Sequence, residues 1–401
     1  PPRDASMHAR GLVHLAGVRS FVPPSLASRR PAPRAAMASA SSTPARSDPG
    51  GPQRTIVSAD WLRANLARVK VLDCSWYLPA MNRDAVAEFR ARRLPGARYF
   101  DVDLVSDRAS PLPHMLPSAA AFAAACDALG VADDDQIVVY DGAGLFSAAR
   151  AWWMFKTFGH DAVAVLDGGA PAWDRAGGEW DETPLEGEDD DAFVRAAADA
   201  AARASQDPGA DEKESESESA AASYKYSASL NPALVRFKAE VLANCVEQPS
   251  NNPERLVDAR PEPRWRGRAP EPRPGIRSGR APGSANVPFH DLLDPELKTL
   301  VAPAEIRRRF AEAGVDIGEE GAGGEGTDEG TDEGSGGGGA SRAPTRIVAS
   351  CGTGVTACVL SLAIAVAEPE RWEKAPVGVY DGSWTEWGAE DSGCPVEKDE
   401  E

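Results

Sequence analysis

Short runs of β-branched and aliphatic residues alternate along this chain with longer stretches of helical periodicity. Four apolar runs have the length of buried strands: 137–140, 163–166, 347–349 and 377–380. Three longer stretches have the pattern of helices: 119–129, 148–158 and 304–313. Strands that alternate with helices in this way form parallel sheets with helices on both faces, so the pattern predicts an α/β fold class.

The same order of elements occurs twice. Asp73, which ends one apolar run, is matched by Asp258 after 185 residues, and Asp141 is matched by Cys351 after 210 residues. The separation grows because the second copy contains an insert. A repeat of this length indicates two homologous domains. We place them at 53–183 and 224–396.

The net charge of −19 is concentrated in two segments of low complexity. Residues 186–219 contain twelve acidic and three basic residues, and residues 319–340 contain seven acidic residues and no basic ones. Both segments are rich in Gly, Ala or Ser. A chain of that composition cannot bury a core, so we predict an acidic disordered linker at 184–223 and a disordered insert at 319–340.

Two classes of partner are not expected. Basic residues form no stripe with interleaved aromatic residues, which nucleic-acid binding would require. No apolar run reaches the roughly 18 residues that span a bilayer. The sequence therefore predicts neither a nucleic-acid partner nor a membrane partner.

The N-terminal segment, residues 1–52, has a distinct composition. Its first 47 residues contain seven arginines, no lysine and one acid, Asp4, with many Ala, Ser and Pro residues. This composition is typical of organelle transit peptides, so we expect a mitochondrial or chloroplast protein. The alternative is a disordered tail, in which case the protein would be cytoplasmic.

Six cysteines occur in the chain, at positions 74, 126, 245, 351, 358 and 394. They form no C-x-x-C pair and have no histidine at metal-ligand spacing, so we expect no zinc site and no disulfide framework. No metal or organic cofactor is implied. Most of the cysteines are expected to be small buried hydrophobic residues.

Cys351 is the exception, because it lies in a tight loop between a predicted strand and a predicted helix. At such a position a thiol faces backbone N–H groups and the positive end of a helix, which favour a thiolate and can hold the outer sulfur of a persulfide. Gly352 and Gly354 supply the backbone freedom that a tight loop needs. The predicted active-site loop comprises Cys351, Gly352, Thr353, Gly354, Val355 and Thr356.

The loop at 351–356 and the segment Tyr-Asp-Gly-Ser-Trp-Thr-Glu-Trp at 380–387 resemble the 3-mercaptopyruvate sulfurtransferases. The resemblance covers both domains. It implies two tandem rhodanese-like domains, each a mostly parallel sheet flanked by helices on both faces, of which only the C-terminal one is catalytic. The N-terminal copy has Asp141 where the other has Cys351, so it lacks the thiol.

The resemblance also implies a binding site for the donor carboxylate within residues 264–273. It implies that Arg264 and Arg273 clamp this carboxylate, a task that suits the planar guanidinium group. The other two arginines of the segment, Arg266 and Arg268, are expected at the surface.

A proton relay is the third implication of the resemblance. It implies that His114, from the first domain, faces the catalytic loop. With Asp103 and the hydroxyl of Thr353, His114 would assist proton transfer as the C–S bond breaks.

Together these residues predict a sulfurtransferase with a ping-pong mechanism. The Cys351 thiolate attacks the sulfur of 3-mercaptopyruvate, pyruvate leaves, and the persulfide gives its outer sulfur to thioredoxin, another thiol or cyanide. Thiosulfate is the alternative donor, but family members that use it carry a cationic pair after the cysteine, whereas Gly352 and Thr353 are uncharged. A sulfur-relay module without turnover is a further alternative.

Three other interpretations of the loop are weaker. Gly352, Gly354 and Ala357 fit the spacing of a dinucleotide-binding fingerprint, but too little chain follows for that fold. A cysteine-dependent phosphatase needs an arginine six positions after the cysteine, where this chain has Ala357. A structural cysteine in an inactive domain is disfavoured by the substrate-binding residues.

Overall fold

Two parallel five-stranded sheets follow one another along the chain. The computed structural model describes residues 54–185, 188–206, 224–247, 254–318 and 345–400. The predicted transit segment at 1–52 and the predicted insert at 319–340 lie outside the described residues.

The first sheet is built from strands β1 to β5, at Ile56–Val57, Lys70–Asp73, Arg98–Tyr99, Ile137–Tyr140 and Val163–Leu166. Their order across the sheet is β1-β5-β4-β2-β3, and all neighbours are parallel. Among the described residues, six helices accompany it: α1 (Ala59–Asn65), α2 (Ala85–Ala91), α3 (Ala119–Leu129), α4 (Ala148–Thr157), α5 (Gly169–Arg175) and α6 (Glu188–Ser205). Short 3₁₀ turns occupy Leu66–Arg68 and Pro79–Met81.

The second sheet repeats this arrangement. Its strands β6 to β10 are Val235–Arg236, Glu254–Asp258, Ala285–Asn286, Arg346–Ser350 and Gly378–Tyr380. Their order is β6-β10-β9-β7-β8, which is the order of the first sheet. The helices are α7 (Lys238–Val241), α8 (Glu262–Trp265), α9 (Pro303–Glu312), α10 (Ala357–Ala367), α11 (Pro369–Lys374) and α12 (Ser383–Trp387). A π-helical turn at Leu242–Glu247 and 3₁₀ turns at Pro232–Leu234 and Phe289–Leu292 complete the domain.

Strand β4 shows why the sheets are covered on both faces. Successive side chains of a strand point to opposite faces. Ile137 and Val139 join a hydrophobic cluster with α3 and α4, whereas Val138 and Tyr140 join another with α1, α2 and α5. All four residues are buried. The predicted α/β class, with parallel sheets flanked by helices, is confirmed.

Helix α6 corrects one expectation. It lies within the segment predicted as a disordered linker, 184–223, and it packs against α3. A stripe of small apolar side chains is buried along it: Val194, Ala197, Ala198, Ala201 and Ala204. The prediction is wrong for residues 188–205, because these spacings give the helix an apolar face despite its acidic composition. Residues 207–223 lie outside the described residues.

Helix α4 joins the two domains. The Trp152 ring lies 5.4 Å from the ring of Trp372, and Trp153 Nε1 donates to the Leu234 carbonyl oxygen at 2.9 Å. The helix also packs against α10, which follows the Cys351 loop. One hydrophobic cluster therefore contains residues of both domains, and the Cys351 loop lies beside this shared core.

Candidate active site

Cys351 follows the last residue of the central strand β9 and is only 2% exposed. Its backbone N–H donates to Ser383 Oγ at 3.1 Å, and its carbonyl oxygen accepts from the Trp384 N–H at 3.0 Å. Ser383 has φ 49°, which is uncommon for a residue with a side chain, and its Oγ donates to the Tyr380 carbonyl oxygen at 2.8 Å. The start of α12 thus fixes the backbone of the cysteine.

The other residues of the predicted loop surround this point. The Gly352 carbonyl oxygen accepts from the N–H and the Oγ1 of Thr385, at 2.9 and 2.7 Å. Thr353 and Val355 are buried, and Thr356 directly precedes helix α10. The loop is therefore held between α10 and α12, both of which begin at the carboxyl edge of the sheet.

The two glycines of the loop differ in what they require. Gly354 has φ 80°, and a Cβ there would lie 2.8 Å from the Asp381 carbonyl oxygen and 3.1 Å from Arg150 Nη1. A side chain does not fit at this position. A Cβ on Gly352 would meet only Arg264 Nη2, at an ordinary 3.6 Å. The expected need for glycine therefore holds for Gly354 and not for Gly352.

The equivalent loop of the first domain shows what such a backbone binds. Asp141, the counterpart of Cys351, is fully buried. Its carboxylate accepts four backbone hydrogen bonds of 2.7–3.0 Å from Ala143, Gly144, Phe146 and Ala148. Burial raises the pKa of Asp141, and these four N–H groups oppose that rise. The loop therefore forms a cradle of N–H donors around an anionic side chain.

Arg264 lies next to the Cys351 loop, on helix α8. Its Nε donates to Glu271 Oε1 at 3.2 Å, and its Nη2 donates to the other oxygen of Glu271. Glu271 is almost fully buried and also binds Arg260 at 2.8 Å, which in turn pairs with Asp258 at 2.6 Å. This chain of ion pairs orients the Arg264 guanidinium toward Gly352. Sequence reasoning did not single out Glu271 or Arg260, although Glu271 lies within the segment 264–273.

Asp103 and His114 form a pair in the first domain. The Asp103 Oδ1 lies 2.5 Å from His114 Nδ1, and Trp76 Nε1 donates to Asp103 Oδ2 at 2.7 Å. The Trp76 ring packs edge-on against the imidazole at 4.8 Å. Burial alone would raise the pKa of Asp103, but the His114 and Trp76 hydrogen bonds and the charge of Arg273 lower it. The structure thus brings Arg273 near the Asp103–His114 pair.

Thr353 is not joined to this pair directly. In the described part of the chain, no hydrogen bond connects the Thr353 hydroxyl with His114 or Asp103. The His114 backbone is linked to the catalytic loop by Arg150 instead, because its guanidinium donates to the carbonyl oxygens of both His114 and Gly354. Sequence reasoning missed Arg150. Its signal was an arginine within the run Ala-Ala-Arg-Ala-Trp-Trp-Met-Phe at 148–155, in which every other residue is apolar.

The other arginines of the segment 264–273 and the other cysteines differ in their exposure to solvent. Arg266 and Arg268 both pair with Asp399, at 2.6 and 3.2 Å, and both arginine side chains are at least partly exposed. Four other cysteines have their pKa raised by burial: Cys74, Cys126, Cys245 and Cys358. These four thiols are therefore disfavoured as thiolates at neutral pH.

The largest features to consider beside the Cys351 loop are a cavity, a possible metal site and a possible membrane span. A cavity of about 700 Å³ adjoins α8, but its lining includes none of the predicted site residues. Within the described ranges, no cluster of His, Cys, Asp and Glu has a geometry that could hold a metal ion. None of the helices described is long and apolar enough to cross a bilayer.

Comparison with known proteins relates the chain to sulfur-transferring enzymes. The family model of the rhodanese-like domain matches residues 58–176, which lie in the first domain. The thiosulfate/3-mercaptopyruvate sulfurtransferase 1, mitochondrial, of Arabidopsis thaliana is 39% identical over 344 residues, 85% of this chain and 78% of that protein. The 3-mercaptopyruvate sulfurtransferase of Homo sapiens is 36% identical over 342 residues, 83% of this chain and 92% of that protein.

Solved structures give the same result. SseA from Escherichia coli, described with the 3-mercaptopyruvate sulfotransferases, superposes with a TM-score of 0.58 at 29% identity, covering 82% of this chain and 98% of that one. The sulfur transferase subunit of yeast mitochondrial complex I superposes with a TM-score of 0.61 at 29% identity, covering 86% and 100%.

Proposed function

Because this chain belongs to the family of 3-mercaptopyruvate and thiosulfate sulfurtransferases, we propose that it transfers sulfane sulfur from 3-mercaptopyruvate through a persulfide on Cys351. The acceptor is a thiol such as thioredoxin, or cyanide, and the other product is pyruvate.

The cradle around Asp141 is the observation that carries this proposal. The two loops have the same position in two sheets of identical strand order, and the first of them surrounds a carboxylate with four N–H donors. The Cys351 side chain is shorter than that of Asp141. Once Cys351 carries a persulfide, its outer sulfur extends about as far from the backbone as the Asp141 carboxylate oxygens do. The same kind of cradle then stabilises the outer sulfur as an anion.

Arg264 and Arg273 are proposed to bind the donor carboxylate. Arg264 borders Gly352 and is held in place by Glu271, so its position is set before the donor arrives. The charge of Arg273 lowers the pKa of Asp103, which supports a position of Arg273 near the Asp103–His114 pair. Two guanidinium groups suit a planar carboxylate next to a keto group.

The proposed chemistry balances without a cofactor. The Cys351 thiolate attacks the donor sulfur, the C–S bond breaks, and its electron pair forms the enolate of pyruvate. The proton of the donor thiol is passed on to the enolate carbon, which gives pyruvate and leaves Cys351 as a persulfide anion. Asp103 holds the His114 imidazole by its Nδ1, so that the other ring nitrogen is the one that moves the proton.

Mass spectrometry and product analysis test the proposal. After treatment with 3-mercaptopyruvate, one extra sulfur should be found on the peptide that contains Cys351, and pyruvate should be released with each turnover. Cys351→Ser should abolish both. The matched control is Cys394→Ser, another buried cysteine of the second domain, which should keep wild-type turnover.

Three results would contradict the proposal. The extra sulfur could be found only on another cysteine, Cys351→Ser could still release pyruvate, or the wild type could release a single equivalent and stop. The last result would favour a sulfur-relay module. Parallel turnover with thiosulfate tests the alternative donor, which is part of the name of the Arabidopsis relative.

We also propose an organellar location, in a mitochondrion or a chloroplast. The support is the arginine-rich composition of residues 1–52 and the mitochondrial designation of the Arabidopsis relative. Fusing residues 1–52 to a fluorescent protein tests this, and cytoplasmic fluorescence would contradict it.

A further inference from the structure

A fully buried ion pair connects the two domains next to the active-site loop. Arg150, on helix α4 of the first domain, lies 2.7 Å from the carboxylate of Asp381, directly after strand β10 of the second domain. Both side chains are 0% exposed. The pKa of Arg150 is raised, because its attraction to Asp381 outweighs the burial that alone would lower it. The pair therefore links the two domains at a point that the solvent does not reach.

Arg150 and Asp381 also hold backbone groups of the segment 114–116 and of the catalytic loop. Arg150 Nη2 donates to the His114 carbonyl oxygen, and Nη1 donates weakly to the Gly354 carbonyl oxygen at 3.4 Å. Asp381 Oδ2 accepts from the Leu116 N–H at 2.8 Å. The segment 114–116 is thus bound at both ends by one ion pair, and the same pair contacts the catalytic loop.

The histidine needs such support. His114 has φ 61°, a left-handed backbone conformation that is sparsely populated by residues other than glycine and persists only where surrounding contacts hold it. Its imidazole direction depends on this backbone and on Asp103. Since no hydrogen bond in the described residues joins the His114 ring to the Cys351 loop, the ring's placement relative to Cys351 depends on Arg150 and Asp381.

We propose that Arg150 and Asp381 are positioning residues that align the His114 proton relay with the Cys351 loop. This inference rests on the proposed function. The pair does not touch the donor-binding Arg264 or Arg273 in the described contacts, so it acts on proton delivery and not on donor binding. Losing the alignment therefore lowers kcat and leaves KM nearly unchanged.

The two donors separate this role from a general structural one. With 3-mercaptopyruvate, a proton must reach the enolate carbon as the C–S bond breaks. With thiosulfate, the Cys351 thiolate takes the outer sulfur and sulfite leaves with the electron pair of the S–S bond, so no proton is required. A defect of the relay therefore slows the first donor and spares the second.

The test compares Arg150→Lys with Arg93→Lys for both donors. Lysine keeps the charge of Arg150 but cannot bind His114, Gly354 and Asp381 together. We expect kcat with 3-mercaptopyruvate to fall about 100-fold, the lower range of general acid–base effects, with KM and thiosulfate turnover within about threefold of wild type. Arg93 is the matched control, since it is a buried arginine paired with Asp181 at 2.9 Å within the first domain.

A second variant keeps the test valid if Arg150→Lys does not fold. Arg150→Gln with Asp381→Asn removes both charges together, so that neither is left buried alone. It should show the same selective loss. Equal losses for both donors, or unchanged turnover of 3-mercaptopyruvate, would overturn the positioning role. A wild type that forms no persulfide from either donor would overturn the proposed function and this inference with it.

Discussion

Replacing Gly354 with alanine should damage both the stability and the chemistry of this protein. The residue has φ 80°, and a Cβ there would lie 2.8 Å from the Asp381 carbonyl oxygen. A left-handed conformation costs a residue with a side chain about 1–2 kcal/mol. Overpacking against a backbone atom adds about 1–3 kcal/mol. We therefore expect the free energy of unfolding to fall by about 2–5 kcal/mol.

Gly352→Ala is the matched control, because it is the same substitution two positions away. A Cβ there makes one contact, at 3.6 Å from Arg264 Nη2, and its backbone is not left-handed. Its effect on the free energy of unfolding should stay within about 0.5 kcal/mol. Urea unfolding followed by tryptophan fluorescence measures both, since Trp384 and Trp387 are buried beside the loop.

The chemistry should follow the same order. The Gly354 carbonyl oxygen accepts from Arg150 and from the Cys358 thiol, so a shifted backbone disturbs the Cys351 loop as well. Persulfide formation in Gly354→Ala, measured by rapid quench, should slow about 10-fold, which corresponds to about 1.4 kcal/mol. If both alanine variants unfold at the same urea concentration and react at the same rate, the steric reasoning about this loop is refuted.

Three further predictions concern the donor, helix α6 and pH. Gly352→Arg combined with Thr353→Lys should raise thiosulfate turnover relative to 3-mercaptopyruvate by on the order of 10-fold, because each added cation favours a dianion by on the order of 1 kcal/mol; an unchanged ratio of kcat/KM values would mean that loop charge does not set donor choice. Ala197→Asp should lower the free energy of unfolding by at least about 2 kcal/mol, while the exposed Ala192→Asp stays near wild type, and equal urea midpoints would contradict the packing of α6. Since the pKa of Asp103 is lowered in the fold from its ordinary value of 3.8, the ionised form of Asp103 stabilises the protein. The stability difference between wild type and Asp103→Asn should be full above pH 3.8 and should disappear as the pH falls through the lowered pKa. A difference that stays constant in acid would count against this.

Local patterns predicted the fold well, for a physical reason. Strands such as β4 and β5 are buried on both faces, so each is a continuous apolar run. Such a run can be recognised as a strand largely from its own residues. The same holds for the repeat, because two domains with one strand order keep similar residues at equivalent turns. The order of the motifs was therefore sufficient to predict two parallel sheets and to set Cys351 apart from the other cysteines.

Helix α6 shows where averages over composition mislead. Its acidic residues dominate the charge of the segment, and this favoured a prediction of disorder. Burial depends instead on the spacing of Val194, Ala197 and Ala201, which places small side chains along one face against α3. The signal was periodic and present in the sequence.

By itself, the sequence determined the α/β class, the tandem repeat, the loss of the thiol in the first copy at Asp141, and the loop that holds Cys351. The tertiary structure alone decided how the site is assembled. Glu271 was readable as a charge near Arg264, but its role depends on Arg260 and Asp258, which burial forces into one network. Arg150 and Gly354 are 204 positions apart, and no periodicity connects them. A buried charge requires a partner, yet which partner it finds depends on how two separately folded sheets pack against each other.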